Sequence, residues 1–296
     1  MKNAVLIINE FLNNNKFNEI HQWLVDAGKR YDINLMIYTN AQIMVSLGQS
    51  NDNKNPILEK IKPEFVLFWD KDIRLAAHLE ITGYRVFNSS NGINVCDDKS
   101  LTHMLLQNAG IPMPKTIIAP MTYDGIGYTN YDFITQVTDN LGFPMILKEC
   151  FGSFGKQVYF IKNKEELIGK MKEIGTKPML FQEFIKSSFA RDIRLNVVGD
   201  KVVASMYRYS DTGDFRANIT NGGKMKKYTP TKEQEEIAVR CCKILGLDFA
   251  GVDIMFGERE EPIICEVNSN AHFKNIYDCT GVNVADFMME YIIDNL

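Results

Sequence analysis

Near the C-terminus, two apolar runs each carry a single acid. Residues 250–256 hold Asp253 within Ala-Gly-Val-Asp-Ile-Met-Phe, and residues 262–267 lead through Glu266 within Ile-Ile-Cys-Glu-Val-Asn. Runs of this length around a charged turn, Glu258-Arg259-Glu260-Glu261, read as a β-hairpin. If the four-residue turn is symmetric, Asp253 falls opposite Glu266, with Cβ atoms about 4.5–5.5 Å apart. Asn268 then projects from the same face. Two like charges facing each other in an apolar setting cost free energy unless something compensates. A hard divalent cation is the natural compensation, and carboxylates with an amide oxygen suit magnesium. The competing reading is a partly solvated strand face without metal.

The rest of the chain must supply a core for that hairpin. With 296 residues, 45% hydrophobic and 24% charged, it is long enough for two or three compact units. Residues 4–8, 35–38, 65–69 and 84–87 are short apolar runs. Between them Phe17, Ile20, Leu24 and Ala27, and later Ile73, Ala76 and Leu79, recur at helical spacing. This β-α-β-α rhythm predicts a small parallel sheet covered by helices over residues 1–95, with a polar loop at 49–55. A second unit, 96–181, opens with a helix capped by Asp97 or Asp98, containing Leu101, Met104 and Leu105 and ending at Gly110. The segment Ile111-Pro112-Met113-Pro114 forces extended chain. Strands at 145–148 and 158–161 follow, then a helix with an Asn163/Glu166 capping box that ends at Gly175. The third unit, 182–296, is richer in hairpins. Strands at 195–198 and 202–206 flank a turn at Gly199-Asp200, and a helix at 231–245 ends at Gly246. The expected class is α/β at the start and α+β beyond it.

Several function classes find no support. A net charge of -4 gives no reason to expect nucleic acid as the main partner. The six cysteines form no C-x-x-C pair and have no histidine cluster beside them, which disfavours a zinc site or disulfide framework and favours reduced thiols in the cytosol. No signal-peptide pattern opens the sequence, and no apolar run reaches the length of a membrane span. The expectation is a cytoplasmic protein that does not engage a membrane. G-x-S-x-G, H-E-x-x-H, Walker and G-x-G-x-x-G patterns are all absent. His21, His78 and His103 read as structural.

Two further groups of residues suit phosphate. Lys148 ends a strand that runs into Phe151-Gly152-Ser153-Phe154-Gly155-Lys156, where the two glycines allow close backbone approach and Ser153 and Lys156 add donors. An ordinary mobile hairpin would read the same way. Arg194, Arg208 and Arg216 lie near Asp192 and Asn218, and guanidinium forks match phosphate and acyl-phosphate oxygens. Solvated surface charge is the alternative for each. Register decides part of this: a two-residue turn at Gly199-Asp200 puts Arg208 on the face opposite Asp192 and Arg194, whereas a three-residue loop including Lys201 puts all three together.

Taken in order, these segments resemble the ATP-grasp superfamily, and within it the RimK-type glutamate ligases. The resemblance rests on Asp98-Lys99, Lys148 with its glycine loop, Gln182-Glu183-Phe184-Ile185, Asp192-Ile193-Arg194, Val197-Val198-Gly199, Gly213-Asp214-Phe215-Arg216-Ala217-Asn218, Gly251-Val252-Asp253 and Glu266-Val267-Asn268-Ser269. It covers the chain from Cys96 onward. The first third is similar only in looking like the small α/β domain that precedes this fold. Two segments depart from the pattern: Thr220-Asn221-Gly222-Gly223 stands where His-Arg-Gly-Gly is usual, and Asn270-Ala271-His272 where Ser-Pro-Gly is usual.

The resemblance implies an ATP- and magnesium-dependent carboxylate-amine ligase, manganese being the alternative metal, working through an acyl phosphate. ATP would lie between the two later units. Lys99 and Lys148 would touch phosphates under the Gly152, Ser153 and Gly155 loop. Glu183, Phe184 and Ile185 would hold adenine, Asp192 the nucleoside, and Arg216, Ala217 and Asn218 the phosphate region. Asp253, Glu266 and Asn268 would hold magnesium, and Arg208 would steady the transferred phosphoryl group, which favours the three-residue loop. Known substrates of such ligases include a ribosomal-protein C-terminus, a pterin or deazaflavin coenzyme and an amino-group carrier protein, and peptide-crosslinking ligases are related. A homo-oligomer is expected. A regulator that binds nucleotide without ligating is the competing class. His272 would face the acceptor pocket or, alternatively, cap a loop or pack against Tyr277.

Overall fold

The computed structural model describes residues 2–12, 15–48, 54–153, 155–219 and 222–296, without the side chains of residues 15 and 16. Most of the expected 49–55 loop, Phe154 of the glycine loop and the Thr220-Asn221 departure lie outside the described residues.

Three sheets carry the chain. The first is parallel, in the order β2-β1-β3-β4, with β1 Lys2–Ile8, β2 Ile33–Thr39, β3 Val66–Phe68 and β4 Val86–Phe87. Its crossovers are α1 Asn15–Arg30, α2 Pro56–Ile61 and α3 Ile73–Ile81. Strand β1 is apolar on both faces because both are covered. Ala4 and Leu6 pack with Ile20 and Leu24 of α1, while Val5 and Ile7 pack with Leu58 and Leu75. Two helices follow, α4 Ser90–Asp97 and α5 Lys99–Asn108. The second sheet is antiparallel, β5-β8-β6-β7, with β5 Thr116–Ile118, β6 Met145–Glu149, β7 Val158–Ile161 and β8 Met179–Glu183, backed by α6 Phe133–Leu141 and α7 Lys164–Ile174. The third is β11-β10-β9-β12-β13, with β9 Arg191–Val198, β10 Lys201–Tyr209, β11 Lys224–Lys227, β12 Phe249–Phe256 and β13 Pro262–Asn268. Helix α8, Lys232–Leu245, covers one face, and α9 Lys274–Thr280 with α10 Val284–Asp294 covers the other.

The cores group these parts differently from the expected division at 95 and 181. Val95, Cys96, Leu106 and Ile111 pack under the third sheet with α8, not with the second sheet. On the opposite face, Met206 and Phe249 share a core with Leu6, Leu24 and Trp69 of the first unit. The second sheet keeps a core of its own, around Met145, Leu147, Leu167 and Phe181. The 181/182 boundary falls inside β8, which belongs to the second sheet. Helix α5 also turns the other way from its apolar pattern. Asp98 caps it as expected, but Met104 and Leu105 are exposed, while Lys99, Thr102 and His103 are buried. Leu106 is buried too and Leu101 packs beside it under the third sheet, so the helix buries a mixed face, with Lys99 bordering the cleft.

Two β-bulges set which side chains share a face. The turn between β9 and β10 is the two-residue Gly199-Asp200, since Lys201 pairs with Val198. The register then shifts between Val202 and Ala204, so Arg208 comes opposite Asp192 after all. The expected three-residue loop is therefore wrong, yet the face it implied is right. The β12–β13 turn is likewise not the symmetric four-residue one. Phe256 pairs with Pro262, leaving five residues in the turn, and a shift between Asp253 and Ile254 brings Asp253 opposite Glu266.

One side chain locks the first unit to the third sheet. Asn88, fully buried, donates to the carbonyls of Phe249 and Ser269, both at 2.9 Å, and accepts from the N–H groups of Asp248 and Phe249. It ties the start of β12 to the segment leaving β13. Asn88→Ala strands four buried backbone groups. At about 1–3 kcal/mol for each group left unpaired, urea denaturation is expected to lose at least about 3 kcal/mol of stability. A change below about 1 kcal/mol would show that water replaces these bonds freely.

Candidate active site

The third sheet lines up acids and guanidinium groups on one face. Asp192 and Arg194 alternate along β9, Arg208 faces them from β10, and Asp253 and Glu266 continue across β12 and β13. Arg208 donates from Nε and Nη2 to the two oxygens of Asp192 at 2.6 and 2.8 Å, and its Nη2 is also 3.0 Å from Asp253. Arg194 donates to both oxygens of Asp253 at 2.6 Å. Two acids and two guanidinium groups thus alternate in one chain, Asp192–Arg208–Asp253–Arg194. Burial pushes both carboxyl groups up; at Asp253 two guanidinium groups outweigh it and hold the acid below the carboxylate range, while at Asp192 burial wins. The compensation that the facing acids require is therefore provided at Asp253 by arginine.

The second sheet and α5 supply the opposite wall. Lys148, on β6, is only 6% exposed, and among the described residues no carboxylate or carbonyl pairs with its ammonium. Lys99 opens α5, donates to the carbonyl of Gly152 at 3.1 Å and lies 3.6 Å from Glu266. Gly152 adopts φ 140°, closed to other residues, which turns its carbonyl to that lysine. Arg216 donates to the carbonyl of Gly155 at 2.7 Å and to Asp214, tying the glycine loop to the third sheet's side. Beneath the lysines, His103 lies 3.5 Å from the amide of Gln182. Burial first, then Lys148 and Lys99, push its pKa down to about 3, so the imidazole stays neutral.

Two adjoining cavities result. The first has an apolar end at Ile146, Val158, Phe184, Phe215 and Met255, and a charged end at Lys99, Lys148, Arg208, Asp253 and Glu266. Gly152, Ser153, Gly155, Glu183, Ile185, Asp192, Arg216, Ala217 and Asn218 also line it, among others. All the expected site residues line it except Arg194 and Asn268, which line the second cavity with His272, Lys71 and Asn270. Lys99, Gly152, Ser153, Gly155, Arg208, Asn218 and Glu266 border both. Asp192 has its oxygens committed to Arg208, unlike the nucleoside contact expected of it. The ring of His272 meets Phe17 edge-on at 5.3 Å, and Tyr277 packs on Trp23 at 4.7 Å. Ile146 and Met255 were readable, being two residues from Lys148 and Asp253 on the same strand faces. Lys71 and Phe17 carry no signal, because they reach the site from the first unit by tertiary packing alone.

The oxygen donors available to a hard cation are Glu266, the Asn268 amide and Asp253. Among the described residues no three His, Cys, Asp or Glu side chains converge into a metal cage. The set fits a magnesium ion that keeps substrate phosphates and water among its ligands. Glu266, its side chain 33% exposed, has only the longer 3.6 Å contact with Lys99, whereas Asp253 must share with arginine. Among the described residues no helix is long and apolar enough to cross a membrane.

Comparison with known proteins agrees with this geometry. The RimK-like ATP-grasp domain family matches residues 96–292. An uncharacterised protein of Mycoplasma genitalium is 31% identical over 99% of this chain and 100% of its own. A probable alpha-L-glutamate ligase of Legionella pneumophila is 35% identical over 73% of this chain and 69% of its own. Human N-acetylaspartylglutamate synthase A is 31% identical over 77% of this chain, which spans 57% of that protein's length. In fold, the ATP-grasp ligase PsnB, solved with a minimal precursor, Mg and ADP, superposes with a TM-score of 0.71 at 16% identity over 98% of this chain and 97% of that one. The chain belongs to the RimK-like ATP-grasp family and is an ATP-dependent carboxylate-amine ligase.

Proposed function

We propose that the enzyme uses ATP and magnesium to join the amino group of glutamate, or of a similar amino acid, to the carboxylate of a small-molecule, peptide or protein substrate. The observation that carries this is Lys148: a buried ammonium without a partner among the described residues, in a cavity that acids and apolar side chains also line. An anion attached to an aromatic ring system fits that polarity, and ATP is such a molecule. The names of the Legionella and human relatives both point to glutamate. PsnB, solved with Mg and ADP, supports the metal.

In this reading the purine sits between Phe184, Phe215 and Met255, and the phosphates reach Lys148, Lys99 and the glycine loop. Glu266, Asn268 and Asp253 hold magnesium, which supplies positive charge to the phosphate oxygens. A substrate carboxylate oxygen attacks the γ-phosphorus and ADP leaves. Arg208, fixed by Asp192, holds its guanidinium at the border of the two cavities, where the charge spreads. The amine then attacks the acyl carbon and phosphate leaves. No enzyme nucleophile is needed, because the side chains position and neutralise.

Lys148→Met is expected to weaken ATP binding roughly 10- to 100-fold, the loss of one charge-assisted contact. Equal affinity in calorimetry would remove Lys148 from the phosphate site. Glu266→Gln is expected to lower turnover about 100-fold or more while leaving the melting temperature close to the parent's. ADP release should require both a carboxylic acid and glutamate or another amine. Nucleotide binding with no amine-dependent ADP release across a broad panel of acids and amino acids would favour the regulator reading instead.

A further inference from the structure

The acid to be activated needs a place of its own, and the second cavity adjoins the phosphate end of the first. Its charged groups are mostly paired. Lys71 bonds Asp97, and Lys99 faces Glu266. The Arg194–Asp253 pair is different, because its members belong to different chambers. Arg194 lines the second cavity and not the first, and Asp253 lines the first and not the second. Their ion pair is the partition.

The two arginines on Asp253 are not held equally. Arg208 has a 4% exposed side chain and grips Asp192 with two bonds besides its contact to Asp253. Its departure would strand Asp192. Arg194 is 16% exposed, and among the described residues Asp253 is its single acid partner. Its stem lies 3.8 Å from where a Cβ on Gly251 would stand, a place the Ala271 methyl already crowds at 2.5 Å, so a larger residue at 251 would press on both. A cation arriving from the nucleotide side competes for the same Asp253 oxygens. Arg194 is the partner that can yield.

We propose that Arg194 is the carboxylate-binding residue of the second cavity, and that it becomes available when a magnesium-bound nucleotide draws Asp253 away. The proposal rests on the reading of the first cavity as the ATP site. In the free protein an internal carboxylate occupies the guanidinium fork. In the loaded protein a substrate carboxylate takes the same fork, so the bidentate pairing is exchanged, not lost. Binding is then ordered, nucleotide before carboxylate, and linkage requires the carboxylate to tighten the nucleotide by the same factor.

The test is site-resolved labelling of the wild-type protein with phenylglyoxal, read by peptide mass spectrometry. Magnesium with AMPPNP is expected to raise the labelling rate at Arg194 by roughly fivefold or more, the lower end of typical couplings between sites. AMPPNP with EDTA should leave it unchanged. Glutarate or glutamate added to the loaded protein should suppress it, and glutarate acting alone or glutamate acting alone tells whether the acid or the amine substrate owns the subsite. Hydrogen exchange at the Arg194 Nε–H, its resonance identified by its loss in Arg194→Lys, should speed up in the same state, a readout that cleft closure against the reagent does not block. If both labelling and exchange stay unchanged or slow down, the proposal is overturned. Suppression by neither anion overturns the carboxylate assignment. Calorimetry on the same samples separates the causes: absent binding of magnesium-AMPPNP sinks the ATP-site reading itself, while binding without release of Arg194 sinks this inference alone.

Discussion

A guanidinium group buried to 4% exposure is tolerable only with its charge and its N–H groups answered, and Arg208 is answered by Asp192 and Asp253 together. Those acids come from β9 and β12, so the pairing fixes three strands against one another at the floor of the cleft. It also keeps Asp253, the most buried acid of the site, ionised. Everything on that face takes its position from this chain of charges. Arg194 ends it on one side, and Glu266, directly opposite Asp253, extends it toward Lys99 of α5.

The chain of charges exists because two strands each carry one extra residue. Without the shift after Val202, the two-residue turn would send Arg208 to the α8 side of the sheet, into the core that holds Ile193 and Leu195. Without the shift beside Asp253, the five-residue turn would set Cys265 in place of Glu266. The apolar runs, the caps at Asp97 or Asp98 and at Asn163, and the acids themselves were legible, since each follows from local pattern, and the structure places the first cap at Asp98. The bulges were not, because nothing local in Val202-Val203-Ala204 or Ile264-Cys265-Glu266 marks an extra residue. Symmetric turns gave the correct facing of Asp253 and Glu266 for the wrong reason: turn length and bulge cancel in parity. Helix α4, rich in Asn and Gly, has poor intrinsic propensity and is held by Ser89 and by packing on the third sheet, so it too escaped a reading by pattern.

The cores explain why ligand residues come from both sides of a gap. The first and third sheets share one apolar core, and Asn88 pins them, so Lys71 and Phe17 keep a fixed place beside Arg194 and His272. The second sheet buries its apolar residues among themselves. Apart from the Phe160–Phe215 ring contact at 5.5 Å, its hold on the third sheet's side at the cleft includes polar bonds: Arg216 to the Gly155 carbonyl, and Lys99, which belongs to α5, to the Gly152 carbonyl. Polar contacts at a cleft mouth exchange with water and ligand at small net cost, whereas separating apolar cores does not. The architecture therefore confines adjustment to the boundary where phosphates would lie.

That boundary is also where charge is left unbalanced. The floor is neutral by pairs, but Lys148 on the roof has no partner among the described residues, and the imidazole below it is held neutral by burial and by the lysines. A protonated His103 would add a third cation beside Lys148 and Lys99, of which only Lys99 has an acid near it among the described residues, so its neutrality limits the repulsion stored there. The remaining excess positive charge faces the cavity at the end opposite its apolar walls. An anion entering at that end is answered without any rearrangement of the roof, and only the floor, where Asp253 is already occupied by arginine, has to exchange partners. If phosphates bind at that end as proposed, the asymmetry assigns different work to the two halves: the roof is preorganised for them, and the floor responds to them.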